Sequence, residues 1–450
     1  MSKPGDIENN VLFGEDGWLF LWKGGHAQFD HLTGIISPAP KSVQSFVANL
    51  ESRREICDAR GVPYVHVVYP SKPVVMSRFL PEGIRREVRS LFERHYSHAL
   101  NPETTTVLYP RQALIEASMA EQVFSIQDTH MTHIGNAIVA QKILDILGND
   151  HNIQACMKAD TRLGGGDLAN MLESPTKLPQ TYLTPCPDSF KIFNNRIFLP
   201  SNTDNIIVAH NPLSASSRRL LALGDSFLGG AISPLLTFYR DILFVRSPSF
   251  QPDLLYLFAP DDVVTANAER YLSQVYPDST GGSVVMRFYG RDDYKPTAEF
   301  TAALQAQLSA RSYPTVYEKW AAQIAAITFE KMGAAQLNSQ LRNVTSAPEW
   351  LESTGHDPHI TFSNVSMEDG RDYQLRICME STVEGVAQLF LGRDNMPFTE
   401  AFSVRKPICV GLNEMVFDLE AEGRGRRLRF DPLNVSGRLR LVTVELVPLA

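Results

Sequence analysis

Ser226 in LALGDSF, and Asp128 and His130 in DTHMTHIGNA, are the side chains whose types and setting suit acyl transfer. A serine hydroxyl becomes a useful nucleophile when a neighbouring base takes its proton, and N–H groups at a following helix start can stabilise the oxyanion that forms. In this reading His130 is the base and then the acid, while Asp128 holds the imidazole tautomer and stabilises its charged form. Gly229 and Gly230 would leave the backbone open to an incoming acyl group. Each signal also has a bland counterpart. Ser226 or Asp225 could simply cap a helix, Asp128 could do the same, and His130 could sit on the surface. Average composition alone yields Gly-Asp-Ser in roughly one chain of this length in ten. The combination weighs more than any one member. His133 reads as a solvent-facing residue on the first turn of the next helix, outside the triad.

The elements around these residues must bring two distant segments together. KSVQSFVANLESRREICDARG places Val43, Phe46, Val47, Leu50 and Cys57 near one helical face and stops at Gly61; PYVHVVYP then reads as a buried strand. IRREVRSLFERHYSHAL reads as a helix, TTVLYP as a strand, and a further helix begins near Gln112. VFSIQDTH is expected to be a strand running into a polar tip, with GNAIVAQKILDILG as the helix after it. That puts Asp128 and His130 at the sheet edge where ligands of α/β folds bind. RRLLALGDSFLGGAISPLLTFYRDILFV reads strand, tight turn, helix, strand, with Ser226 exposed at the turn. DLLYLFA is expected to be a strand and the stretch around VVTANAERYLSQV a helix. Residues 151–217 read as loops and short strands. This alternation predicts an α/β domain with a parallel sheet. Past residue 343 the grammar changes to short strands, HITFSN, YQLRICME, VAQLFLGR, NEMVFDLE, RRLRFDP and RLRLVTVELV, the pattern of an all-β sandwich. In YQLRICME, Tyr373, Leu375, Ile377 and Met379 fall on one face.

DTHMTHIGNA, LALGDSF and VLFGEDGWLF together resemble the corresponding segments of the alginate O-acetyltransferase family of AlgX and AlgJ type, over about residues 10–280. The resemblance implies an SGNH-hydrolase-like, flavodoxin-like domain. Members of that family place the Asp-x-His pair before the Gly-Asp-Ser serine, the reverse of the usual SGNH order, and Asp128, His130 and Ser226 follow the reversed order. Relatives usually carry an aromatic residue directly after the histidine and a proline two further on, where this chain has Met131, Thr132 and His133. What the resemblance implies is an acyltransferase, of acetyl above all, acting on a polysaccharide through acyl-serine. A carbohydrate esterase with the same triad and a non-catalytic glycan-binding protein are the alternatives. The implied partners are a glycan acceptor and an acyl donor, acetyl-CoA or an acyl-carrying protein. The segment after 343 is similar to β-sandwich modules appended to glycan-modifying proteins.

Length and composition set the frame. With 450 residues, 44% hydrophobic and 20% charged, the chain exceeds one ordinary core, and we expect a catalytic domain over 1–280, a helical connector over 281–342 and a β-sandwich over 343–450. A net charge of -8 offers no field that would seek nucleic acid. No stretch of 18 apolar residues predicts stable membrane insertion, and the absence of an apolar leader predicts a cytoplasmic location, or a periplasmic one if a leader is missing from the sequence. The five cysteines form no CxxC pair or zinc-ligand spacing and read as reduced thiols. No cofactor or metal is called for. Gly164–Gly166 lacks the Lys-Ser/Thr of a phosphate loop and reads as a flexible loop. Trp18 and Trp22 read as core residues before sugar-stacking ones. Arg424, Arg426, Arg427, Arg429, Arg438 and Arg440 read as solvated strand faces, with an anion-binding face as the alternative. The three Asn-x-Ser/Thr sequences at 343, 364 and 434 carry little weight without a leader.

Overall fold

The computed structural model describes residues 3–172, 177–186, 190–199, 201–212, 214–288, 291–327, 335–344, 347–363, 365, 367, 370, 372–393, 397–421, 425 and 427–448. The chain divides into two compact units, Met1–Tyr317 and Glu318–Ala450.

In the first unit, Pro40 opens a 19-residue helix, Pro40–Asp58, whose Phe46, Leu50 and Cys57 are buried, and Gly61 ends the turn beyond it at φ +66°. The following strand, Tyr64–Tyr69, is buried at every position because it has a neighbour on each side. The sheet holds seven strands in the order Val107–Leu108, Tyr64–Tyr69, Asp262–Ala268, Arg219–Leu223, Asp241–Val245, Ile206–His210, Lys191–Asn194. The first five run parallel, and the last two are antiparallel to their neighbours. The sheet is therefore mixed, not purely parallel: Ile206–His210 runs antiparallel to Asp241–Val245 and leads into Arg219–Leu223 with no helix between them. The helices His133–Ile146 and Ser226–Leu235 pack against each other, and the second also packs on the Asp262–Ala268 strand.

Several elements differ from expectation. PDLLYLF is a helix, Pro252–Phe258, with Pro252 in its first turn and Ala259 left-handed at its end. VVTANA lies in a strand, Asp262–Ala268, enclosed between two parallel neighbours. These two assignments were expected the other way round. The helix read over residues 84–100 is broken: Glu82–Glu87 ends at an extended Val88, and Ser90 starts a new turn by accepting from Glu93 N–H at 3.0 Å. VFSIQDTH forms no strand; Phe124 makes one isolated bridge to Met131. Residues 151–217, read as loops and short strands, do hold strands, two of them eight residues long: Met157–Gly164 pairs antiparallel with Leu178–Pro185 over eight residue pairs. Among the described residues no helix is long and apolar enough to cross a membrane.

The second unit is built of two five-stranded antiparallel sheets. Phe362, Leu389 and Phe430 of one sheet and Leu375, Ile377, Met379, Phe417 and Val444 of the other share one buried cluster, the core of a sandwich. Tyr373, Leu375, Ile377 and Met379 are buried on one face as their alternation requires. The helix Pro314–Ile327 occupies part of the expected connector. Arg429 pairs with Asp357 and Asp431, Arg440 with Glu380, and Arg438 lies 3.8 Å from Glu352. Those three arginines are matched by carboxylates, and Arg427 lies over the Phe398 ring; Arg424 and Arg426 lie outside the described residues.

Candidate functional site

Leu220–Leu223 is fully enclosed by its two parallel neighbours, and the chain leaves the sheet at Gly224. A Cβ on Gly224 would lie 2.7 Å from Ala266 O, so only glycine fits between the strands there. Asp225 is the helix cap: Oδ1 accepts Phe227 N–H at 2.9 Å and Oδ2 accepts Ala268 N–H at 2.6 Å. Burial pushes its carboxyl up, against the pull of these two N–H groups. Ser226 thus stands on the first helical turn, partly exposed, at the carboxyl edge of the sheet.

The loop bearing the other two residues folds back on itself, with Ser125 N–H bonded to His130 O and Thr132 N–H to Val123 O. Thr132 caps the helix His133–Ile146 through Gly135 N–H. The two segments meet. His130 Nε2 lies 2.9 Å from Ser226 Oγ, and His130 Nδ1 lies 2.7 Å from Asp128 Oδ1. Burial works against a charged Asp128, yet the His130 ring and backbone N–H groups and Asp167 N–H prevail and hold it down to about 2. An ionised carboxylate only accepts, so the ring hydrogen belongs on Nδ1 and Nε2 is left to accept the serine proton. The His130 ring also lies against Phe227, with centroids 5.1 Å apart.

Two further segments brace this loop. Asp167 N–H donates to Asp128 Oδ2 at 2.9 Å, and its carboxylate accepts from Thr129 N–H at 2.8 Å and from the Thr129 hydroxyl. Asp167 Oδ2 is itself 3.9 Å from His130 Nδ1. The close approach depends on Gly166, where a Cβ would fall 2.0 Å from Gln127 O. The glycine run read as a flexible loop is, at its third member, a tight contact against the His130 loop. From the other side Lys72, 4% exposed, sends Nζ to Leu19 O, Ile126 O and Asp128 O at 2.7, 3.0 and 2.9 Å. Gly-Gly-Gly-Asp was a visible signal for the first brace; nothing in sequence pointed to Lys72.

Other expectations take different places. Gly230 serves helix packing, since a Cβ there would meet the Asn136 side chain at 2.7 Å, whereas Gly229 has only ordinary contact with Phe244 at 3.6 Å. His133 bonds Leu183 O and packs on Tyr182 in the hairpin, outside the Asp128–His130–Ser226 set. Trp18 is buried and stacked on Phe79, and Trp22 lies on Phe29.

A cleft of about 270 Å³ opens beside the set, lined by Leu21, His26, Thr129, Asp167, Arg270 and Tyr271 among others. A second cavity of about 680 Å³ reaches Gly224 and Asp225 from Arg53, His66 and Asn267. There buried His66 bridges Thr265 Oγ1 at 2.8 Å and Asn267 Oδ1 at 2.9 Å. Burial first, then Arg53, drive its imidazole down to about 3, so it is neutral.

Residues 11–196 match the family model described as SGNH hydrolase-like domain, acetyltransferase AlgX, a stretch that includes Asp128 and His130 and ends before Ser226. This bears out the resemblance and the fold class read from the sequence. Among curated proteins none matches the chain. Similar solved structures include the O-acetyltransferase domain of Pseudomonas putida AlgJ, at 20% identity over 61% of this chain and 95% of that one, with a TM-score of 0.40. Bacillus cereus PatB1 with a sulfonyl adduct is 13% identical over 59% of this chain and 97% of its own, with a TM-score of 0.47. Pseudomonas aeruginosa AlgX is 11% identical over 97% of this chain and 94% of its own, with a TM-score of 0.34.

Proposed function

Starting from that match to an SGNH hydrolase-like acetyltransferase domain over residues 11–196, we propose that the protein is a serine-dependent O-acetyltransferase that modifies a glycan hydroxyl. The observation that carries this reading is the unbroken hydrogen-bond line from Ser226 Oγ through His130 to Asp128, at 2.9 and 2.7 Å. His130 takes the Ser226 proton as Oγ attacks the carbonyl of the acyl donor. The oxyanion is held by the Ser226 N–H at the helix start, where the backbone dipoles favour negative charge. The tetrahedral adduct collapses as His130 returns the proton to the departing group, leaving acetyl-Ser226. A glycan hydroxyl then attacks the ester, His130 takes its proton, and collapse frees Ser226 with the proton restored. Asp128 remains ionised throughout and stabilises the imidazolium that forms in each half. The donor is an activated acetyl ester or thioester, either acetyl-CoA or an acyl-carrying protein. We assign the sandwich unit to holding the glycan.

Intact-mass analysis with an aryl acetate, with and without oligosaccharides, tests this reading. Wild-type protein is expected to gain one acetyl group, mapped to Ser226, and to lose it faster when an acceptor sugar is added. Ser226→Ala and His130→Ala, still folded, are expected to lose at least 1,000-fold in turnover, of the order removed with a triad member. Discharge by water alone, untouched by any sugar, would make the protein an esterase. Full turnover in both variants would eliminate the triad.

A further inference from the structure

Lys72 is the one lysine among the buried charged side chains of the described residues, and the acyl-transfer steps above do not use it. It follows the strand Tyr64–Tyr69, which places it at the same sheet edge as Ser226. Its Nζ lies among three carbonyl oxygens drawn from two segments: Leu19 O of an N-terminal hairpin in which Leu19–Leu21 pairs with Val11–Phe13, at 2.7 Å, and Ile126 O and Asp128 O of the His130 loop at 3.0 and 2.9 Å. Ile126 O also accepts Leu19 N–H at 3.1 Å, so hairpin and loop are already joined where the lysine enters. The Trp18 and Phe20 rings stand 5.2 and 5.3 Å from Nζ and close off water.

An ammonium has three N–H donors and no acceptor, whereas a neutral amine has two donors and a lone pair. Three converging carbonyls therefore specify the charged form; a neutral amine would turn its lone pair toward one carbonyl oxygen. No carboxylate of the described residues lies within 4 Å of Nζ, and the charges that act on it through space are Asp128 and Asp167. Both belong to the carboxylate pair around His130 Nδ1. Burial lowers the lysine to about 7 against the pull of these two acids, the cost of keeping a cation here without a direct partner.

We propose that Lys72 is a positioning residue for the proposed acyl transfer: its buried ammonium fixes the Asp128 backbone through three carbonyls and tempers the negative charge that Asp128 and Asp167 present to His130. The inference rests on the triad reading, but it carries a separate prediction. With this cation removed and Arg270, over the Phe227 ring, left in place, the two carboxylates weigh more on the imidazole and favour its protonated form. The His130 titration must then move to higher pH. A lysine that only supported the fold would leave that titration where it is.

The test compares Lys72→Met, which keeps the length and drops the charge, with Lys72→Arg, which keeps the charge in a planar fork that cannot meet three converging acceptors. His130 is titrated by ring NMR in the Ser226→Ala background, so the readout needs no turnover, and aryl acetate hydrolysis is followed in the Ser226 background. Lys72→Met is expected to move the His130 midpoint upward relative to wild type and to lower kcat at least ten-fold with KM within two-fold. Lys72→Arg, which keeps the charge, is expected to leave the His130 midpoint where wild type has it while lowering kcat. An unmoved His130 midpoint and wild-type kcat in Lys72→Met would overturn the proposal. If Lys72→Met fails to fold, wild-type kcat in Lys72→Arg overturns it. Should the wild-type protein lack acyl transfer altogether, the NMR shift still decides the role of Lys72 apart from that reading.

Discussion

At the scale of single residues, the set around His130 is held from outside by groups that touch no reacting atom. Gly166 is the most sensitive of these, because its missing side chain lets Asp167 N–H reach Asp128 Oδ2. Gly166→Ala would drive a methyl to 2.0 Å from Gln127 O and 2.8 Å from Asp128 N. We expect it to lose about 1–3 kcal/mol of stability through overpacking and to lower turnover at least ten-fold by displacing the carboxylate. Gly165→Ala, where a Cβ has nothing within 4 Å, is the matched control and should behave like wild type in both melting and turnover. Equal behaviour of the two variants would count against the brace. Asp128, His130 and Ser226 were legible in the sequence because their chemistry is local to two short motifs. Lys72 and Asp167 were not read, since they act on Asp128 across 56 and 39 residues of chain; the Gly-Gly-Gly-Asp run marks the second without saying what it meets, and no local pattern records the first.

At the scale of elements, the strand, turn and helix around Ser226 could be read because an apolar run, a glycine and an acidic cap follow in order. PDLLYLF and VVTANA were exchanged because each is a short run without periodic contrast. Pro252 in a first turn and the β-branched Val263, Val264 and Thr265 were the cues that should have decided them. The His130 loop was mistaken for a strand because its order comes from side-chain bonds, not from a ladder. Beside the Arg219–Leu223 strand, His66 ties Tyr64–Tyr69 to Asp262–Ala268 through Thr265 and Asn267. Its folded imidazole titrates at about 3, below the ~6.5 of an unfolded chain. The unfolded state therefore binds the extra proton between these values, and stability is lost as pH falls through that window, by roughly 3 kcal/mol at pH 4. Thermal melts from pH 7 to 4 should show a steeper decline for wild type than for His66→Gln. Parallel curves would remove His66 as the cause.

At the scale of the whole molecule, the chain holds an SGNH-hydrolase-like α/β unit and an antiparallel sandwich with its own hydrophobic cluster. The change from helix-and-strand alternation to strands alone was legible because period-2 alternation leaves a clear mark in Tyr373–Met379. Because Phe362, Leu375, Ile377, Phe417 and Phe430 bury one another within the second unit, residues 318–450 expressed alone should fold as β structure with a cooperative melt. A helical or featureless circular-dichroism spectrum of that fragment would refute independent folding.

The double bond of Asp225, to Phe227 N–H and to Ala268 N–H, has a consequence for how the site is held. It ties the Ser226 turn to a strand hydrogen-bonded on both sides, while the imidazole rides on a return loop with a single ladder bridge. The two halves of the site are thus anchored by different means, Ser226 through the sheet itself and His130 through side chains and backbone groups that reach its loop from Asp167 and Lys72.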